Sequence, residues 1–463
     1  MNSIIATTVF GIIMMFASVL VSDKKSVAAL ATVLFAALLG VNIYDLNTIT
    51  ANAPQALYNN MLHIEHYSVW FNTLMTGATL LYILLMGREI QKVGAHAAEY
   101  FALIFFILCG VYLLSTYNNM LMLFIGIEIL SIPQYILAGS DKRNLKSSEA
   151  SLKYFLMGAF STGILLMGIT LLYGASRTFN IMEMVSVLHS DSLNPLALAG
   201  IIFIMIALSF KVSAAPMHMW TPDVYDGSPT AFTAFMATIV KAAAFFAFIR
   251  LFQSSFSNLS THWMTVLAII TAATLLVGNV TAVFQQSVKR MLAYSSIAQA
   301  GFMLFAVLAV NTADASRGII VYAVAYSVAT IGMFSVLVKL KDYTYDGFNG
   351  LAQKQPLLAF VTTLFLFSLA GIPLTGGFMA KYYVLLAAVE QGQLMWLVIF
   401  GLLMAAISVY YYFRVIIAMY FKTGTPEMNS PVSSFDKFLL VLTCLIVLAL
   451  GIFPQLLLNI LVA

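Results

Sequence analysis

Apolar residues run along this chain in blocks of about twenty, separated by short polar joints. A helix needs about 20 mostly apolar residues to cross a bilayer. The pattern predicts fourteen such helices, at 3–21, 27–45, 67–87, 98–116, 118–139, 150–174, 195–219, 229–253, 262–285, 290–310, 316–338, 356–388, 394–421 and 438–458. Membrane-spanning β-strands would alternate polar and apolar positions over about ten residues. These blocks are longer and apolar on every side, so helix is the only reading. Two joints, 46–66 and 175–194, are long; the rest leave no room for a soluble domain. The first block has no basic residues before it and no small-residue cleavage site after it, so it reads as a span and not a signal peptide.

Composition sharpens this picture. The 463 residues are 62% hydrophobic and 9% charged, with mean hydropathy +0.96; a soluble domain is about 25% charged. A soluble, disordered or nucleic-acid-binding protein is excluded. The net charge of +4 matters less than its placement. Fourteen of the 22 Lys and Arg residues fall in one alternating set of joints, from Lys24 and Lys25 through Lys142 and Lys354 to Lys437; Arg177, Arg250 and Arg317 are the only three in the other set. Basic joints face the cytoplasm. Both termini then lie on the opposite face, as an even number of spans requires. The two cysteines, Cys109 and Cys444, sit in apolar runs and imply neither a disulfide framework nor a zinc site.

The remaining five cations, and one acid, lie inside spans. Burying an ionisable group at the bilayer centre costs at least about 2.5–3.5 kcal/mol, so such residues mark ion paths or lock helices together. Glu128 lies mid-way along span five. Lys211 is followed by Ser213, Pro216 and small residues in span seven, a sequence that breaks a helix. Unwound backbone at membrane depth requires protein or a water-filled cavity beside it. Lys241 is about three turns into span eight, with Ala242, Ala243 and Ala244 beside it. Lys381 follows Gly371, Pro373, Gly376 and Gly377 in span twelve, a second interrupted helix. Lys153, near the end of span six, and His218, beside the first break, are weaker candidates; snorkelling and a structural hydrogen bond account for them equally well. Arg414 reads as an anchor for a helix end or as a partner for an acid.

Two interrupted spans in corresponding halves point to a transport path. The breaks are five spans apart, an odd number, so the halves are inverted in the membrane. The layout predicts an all-α polytopic membrane protein of fourteen helices. Residues 1–97 form helices 1–3, residues 98–253 and 262–421 form two inverted five-helix repeats (helices 4–8 and 9–13), and residues 422–463 carry helix 14. Helices 7 and 12 are discontinuous. The sequence holds no phosphate loop, dinucleotide fingerprint or paired-cysteine motif. His63 and His66 stand in an external loop without the further ligands a metal or haem needs.

Three separated motifs, KVSAAPMHMWTPDVYDGSPTAFTAF, KRMLAYSSIAQAGFM and AGIPLTGGFMAKYY, resemble those of the antiporter-like subunits of respiratory complex I and of multisubunit cation/proton antiporters. The likeness spans essentially the whole chain. GIEILSIPQYIL, the segment from Ser147 to Gly174 and the lysine of span twelve are most similar to the subunit N branch of bacterial NADH:quinone oxidoreductases. The related M branch is expected to carry glutamate in span twelve, and the L branch a long lateral helix after the last span.

The resemblance implies a proton-translocating subunit with no cofactor of its own. FMN, iron–sulfur clusters and quinone belong to partner subunits. The partners it implies are the other membrane subunits and the peripheral electron-transfer arm, and the location is the bacterial inner membrane. It places the functional acid at Glu128, the broken-helix lysine at Lys211, the central lysine at Lys241 and the exit-side lysine at Lys381. Gln299 stands where many relatives are expected to have histidine. An amide cannot take up a proton at neutral pH; it orients water or bridges by hydrogen bonds. The expected route runs from Lys211, held charged by Glu128, to Lys241, then through water and Gln299 to Lys381. A subunit of a multisubunit Na⁺/H⁺ antiporter shares the fold and the lysines and is the alternative. A scaffold whose charges only lock helices would not place two lysines at helix breaks, and a quinone-reducing enzyme would need redox ligands.

Overall fold

The computed structural model describes residues 1–21, 23–49, 55–188, 194–309 and 312–462. Its helices in chain order are α1 (Asn2–Leu20), α2 (Lys24–Thr48), α3 (His66–Val93), α4 (Ala97–Thr116), α5 (Met120–Ala138), α6 (Leu145–Ser176), α7 (Ile181–Val187), α8 (Pro195–Lys211), α9 (Trp220–Gly227) and α10 (Thr230–Phe235). A π-helical turn, Met236–Val240, joins α10 to α11 (Lys241–Ser254). There follow α12 (Ser260–Val283), α13 (Val288–Leu308), α14 (Ala313–Leu337), α15 (Leu351–Lys354), α16 (Pro356–Ala370), α17 (Gly376–Glu390), α18 (Met395–Phe421), α19 (Ser434–Ile452) and α20 (Gln455–Val462).

Twelve of these segments, among the described residues, are long and apolar enough to cross a membrane; α8 and α16 are shorter apolar helices, each ending at a break. Among the described residues the regular structure is all helical apart from one antiparallel hairpin, β1 (Gln55–Leu57) with β2 (Leu62–Ile64), in the first long joint. The second long joint carries the short helix α7. Neither element shows in hydropathy, because both are too short to give a periodic apolar signal.

The core lies around two segments, Thr230–Gln253 and α14, whose apolar stretches are buried throughout; α13 is nearly so. By contrast α1, α2, α6, α18 and α19 turn large apolar side chains outward, such as Phe16, Phe160, Phe421 and Leu445. In a bilayer these face lipid or a neighbouring subunit. Central helices thus exchange lipid contacts for polar ones. Buried Ser, Thr, Tyr, Asn and Gln gather on α12, α13 and α14 and bond between helices. Such bonds, with small residues that let backbones approach, drive helix association where the hydrophobic effect is absent.

Arg414 of α18 anchors a helix end as expected: its guanidinium donates 2.7 Å to the carbonyl of Val283, at the end of α12, and lies 4.1 Å over the Tyr345 ring.

Candidate proton path

The two sequence-predicted breaks are built alike. After α8 the chain turns through Ser213, a non-glycine residue at φ +65°, and the cis bond before Pro216. Val212 N–H closes onto the Leu208 carbonyl and Ala214 N–H onto that of Ser209, and Ala215 N–H reaches across to Thr274 of α12. After α16 the chain turns through Gly371 (φ +84°) and Leu374 (φ +71°). A residue held in left-handed backbone without glycine's freedom costs about 1–3 kcal/mol and tends to mark a functional site. At Gly371 a side chain is excluded twice over, by the positive φ and by Lys381, whose Cδ would lie 2.9 Å from a Cβ there.

Lys211 is the last residue of α8. Its ammonium donates to Ser131 Oγ at 2.9 Å and Tyr135 OH at 3.4 Å, both on α5. Glu128, one turn before Ser131, instead accepts from Thr162 Oγ1 of α6 at 2.7 Å. Among the described residues no ion pair joins Glu128 to Lys211. Lys211 is held instead by Ser131 and Tyr135, with Glu128 within electrostatic range. Pro133 follows on α5; its missing N–H leaves the Ile129 carbonyl, beside Glu128, without its usual helical donor.

Lys241 begins α11, directly after the π-turn, and is 1% exposed. Its ammonium donates to the Ser296 carbonyl at 2.9 Å and to Ser296 Oγ at 2.5 Å, on α13. π-Turns inside α-helices recur at functional sites. Hydropathy does not reveal this one.

Lys381, in the second turn of α17, folds back onto the end of α16. It donates to the carbonyls of Leu369 (3.2 Å) and Ala370 (2.8 Å) and lies 4.8 Å over the Phe302 ring. The carbonyls of a last helical turn have no intrahelical partner. Here Gly371 and Ile372 satisfy those of Phe367 and Ser368, while Lys381 takes the next two. The negative end of a helix favours a cation, which explains how Lys381 is held without a carboxylate. Lys211 also stands at a helix end, but its ammonium is held by the Ser131 and Tyr135 hydroxyls of α5.

Gln299 of α13 joins this group. Its amide donates to the same Leu369 carbonyl at 2.8 Å and to Tyr412 OH at 3.3 Å, and its oxygen accepts from Tyr322 OH. The side chain is tied to three protein groups and is 4% exposed.

Lys153 lies apart from these groups. It pairs with Glu149 (2.7 Å) and Asp223 (2.9 Å), and Asp223 also pairs with Arg290 (2.9 Å). These line an open cleft of about 210 Å³ with Lys146 and Asp226. His218 sits partly buried in the turn before α9 and makes no ion pair among the described residues.

Two sets of buried charges were missed by assigning them to solvated joints. Lys289 is 3% exposed and donates to the carbonyls of Asp226 (2.9 Å) and Ser228 (2.6 Å). Lys339 is buried between Glu89 (3.0 Å) and Asp436 (3.3 Å), tying α3 to the start of α19. Their sequence signal was proximity: each stands within two residues of an apolar block.

The fold and its buried lysines define a class, and comparison with known proteins agrees. The family model described as "NADH:quinone oxidoreductase/Mrp antiporter, TM" matches residues 117–408. The chain belongs to this family. It is 40% identical to "NADH-quinone oxidoreductase subunit N" of Cytophaga hutchinsonii, over 99% of each chain, and 34% identical to the protein of that name from Flavobacterium psychrophilum, over all of each. Among solved structures, a chain of respiratory complex I from Thermus thermophilus superposes with TM-score 0.83 at 29% identity, covering 99% of this chain and 98% of that one. A chain of the Mrp complex from Dietzia sp. superposes with TM-score 0.86 at 19% identity, over 99% of this chain and 95% of that one, which is likeness of fold alone.

Proposed function

We propose that this chain is the subunit N of an NADH:quinone oxidoreductase, and that it moves protons across the membrane along Glu128, Lys211, Lys241, Gln299 and Lys381. Its partners are the other membrane subunits and the peripheral arm of that complex. Electron transfer belongs to those partners, with their FMN, iron–sulfur clusters and quinone, and this chain contributes no redox centre. One observation carries the reading. Lys241 and Lys381 are buried and Lys211 is partly so, none has a carboxylate within 4 Å among the described residues, and each stands at a break or π-turn. Lys339, by contrast, is paired with two carboxylates, and Lys289, also unpaired among the described residues, stands at no break or π-turn.

The path needs a driving partner, because moving one charge against the potential costs about 2.3 kcal/mol per 100 mV. Glu128 controls the charge on Lys211 through space; Lys211 hands its proton to Lys241, and Lys241 to Lys381. Lys153 and His218 are secondary members on the cytoplasmic side. The membrane is the bacterial inner membrane, with both termini outside the cytoplasm.

We also read α8 with its break, and α16 with α17, as spans seven and twelve of fourteen, within two inverted five-helix repeats. Neighbour relations support this: α4 packs on α5 as α12 packs on α13, and α6 packs on α8 as α14 packs on α16 and α17. Likeness to Mrp chains is of fold only, so the antiporter alternative is the weaker one. Purifying the native assembly tests the proposal. It should contain flavin and iron–sulfur subunits and acidify vesicles on NADH oxidation. Isolation with Na⁺/H⁺ antiporter subunits and no dehydrogenase would overturn it.

A further inference from the structure

Reading the buried lysines as carriers leaves one step without a carrier. The route from Lys241 to Lys381 crosses from α11 to α17, and its midpoint holds Gln299, which does not titrate. The structure supplies other groups there. Tyr322, Tyr326 and Thr330 are spaced four residues apart, so their side chains lie along one face of α14. Both tyrosines are buried. Tyr326 stands beside Ser296, whose Oγ receives Lys241, and lines one cavity with Gln299 and Tyr322. The Tyr322 hydroxyl bonds Gln299, and Gln299 bonds the carbonyl that receives Lys381. Between the tyrosines lies a small cavity of about 10 Å³, bounded by Gln299, Ser368, Gly377 and Ala380, the last being the neighbour of Lys381. A space of about 10–15 Å³ with two or more polar groups holds one water molecule.

We infer that the proton passes from Lys241 to Lys381 through the hydroxyls of Ser296 and Tyr326 and one water in the cavity beside Tyr322, and that Gln299 positions these groups without carrying the proton. The inference rests on the carrier reading of the lysines. Each hydroxyl both donates and accepts, so the transfer balances. One N–H bond breaks at the Lys241 ammonium and Ser296 takes that proton. Ser296 passes its own to Tyr326, Tyr326 to the water, and the water to the free amine of Lys381. Every hydroxyl ends with one proton, and nothing is oxidised or reduced. Gln299 serves as a strut between α13, α14 and the end of α16, setting the distance across which the water bridges. Thus an amide is sufficient at this position, since the carriers stand on α13 and α14 beside it.

The test uses the intact complex in proteoliposomes, with NADH-driven acidification normalised to assembled complex. Tyr326→Phe removes one hydroxyl and keeps the ring. Tyr82→Phe is the control: that tyrosine is fully buried, bonds only the Ala231 carbonyl, and lies off the route. Lys241→Met is the reference for a broken path. We expect Tyr326→Phe to lower pumping per complex at least threefold and to raise the solvent deuterium isotope effect, with Tyr82→Phe matching wild type in both. If Tyr326→Phe behaves as Tyr82→Phe while Lys241→Met fails, the hydroxyl route is wrong and the lysine path stands. If Lys241→Met pumps normally, the lysine path itself is wrong and the hydroxyl route falls with it. Should Tyr326→Phe not assemble, Tyr322→Phe removes the other hydroxyl bordering the water. Its expected loss is also at least threefold, and wild-type pumping would overturn the route.

Discussion

Replacing a buried lysine by methionine should have opposite consequences at Lys241 and at Lys339. Lys339 is 4% exposed and stands between two carboxylates. Without it, Glu89 keeps Lys92 and the Ser430 hydroxyl, but Asp436 keeps only its bonds at the start of α19, from Ser433 N–H among them. Removing one member of a buried pair costs about 3–5 kcal/mol, because a charge is left uncompensated. At Lys241 the balance reverses. Methionine loses two hydrogen bonds to Ser296, and hydrogen bonds within membranes average about 0.6 kcal/mol with a maximum near 1.7. It also removes a cation whose burial costs at least about 2.5 kcal/mol. The net effect should be neutral to slightly stabilising. Yields of assembled complex and its thermal inactivation in detergent measure the first quantity, and acidification per assembled complex measures the second. Lys339→Met should assemble poorly, and what assembles should pump normally. Lys241→Met should assemble as wild type and fail to pump. If Lys241→Met were as destabilising as Lys339→Met, with normal pumping by the surviving complex, both lysines would be locks and the distinction drawn here would be wrong.

Glu128→Gln keeps the bond from Thr162 and removes the charge, so assembly should persist while pumping falls strongly; unchanged pumping in vesicles would make Glu128 structural. Lys381→Arg keeps a cation at the end of α16 but cannot release its proton, so it should pump nearly as poorly as Lys381→Met, and normal pumping would end its carrier role. Gln299→His retains a donor and an acceptor and should be tolerated. Gln299→Leu strands the Tyr322 hydroxyl, a loss of about 1–3 kcal/mol, and should slow pumping per assembled complex; equal rates for the Leu variant and wild type would remove Gln299 from the path. Reporter fusions after Lys142 and Lys354 should report the cytoplasm, and an external signal from either would overturn the orientation.

The membrane class, the approximate spans and the two helix breaks were legible in the sequence because each has a local cause. Apolar length makes a span. Pro216 and Ser213 at one site, and Gly371 with Pro373 at the other, interrupt the helix whatever packs against it. The depth of Lys211, Lys241 and Lys381 follows from counting residues, and the cost of burying charge turns depth into a functional expectation. The hairpin and α7 were not legible, being too short to leave a hydropathy signal. Lys289, Lys339 and Glu89 were misplaced for a different reason: at a span's end, hydropathy does not distinguish a solvated charge from one covered by another helix.

Sequence by itself therefore determined which residues are too costly to bury without a purpose. Tertiary structure alone decided their partners. It set Lys211 against Ser131 and Tyr135 and left Glu128 a turn away on Thr162. It wound a π-turn before Lys241, gave Lys381 the end of α16 in place of a carboxylate, and gathered Tyr322 and Tyr326 around Gln299. The physical reason is that burial cost belongs to one side chain and its neighbours in the chain. A hydrogen bond needs two groups brought within about 3 Å, and between α11, α13, α14 and α17 only the packing of helices far apart in sequence achieves that.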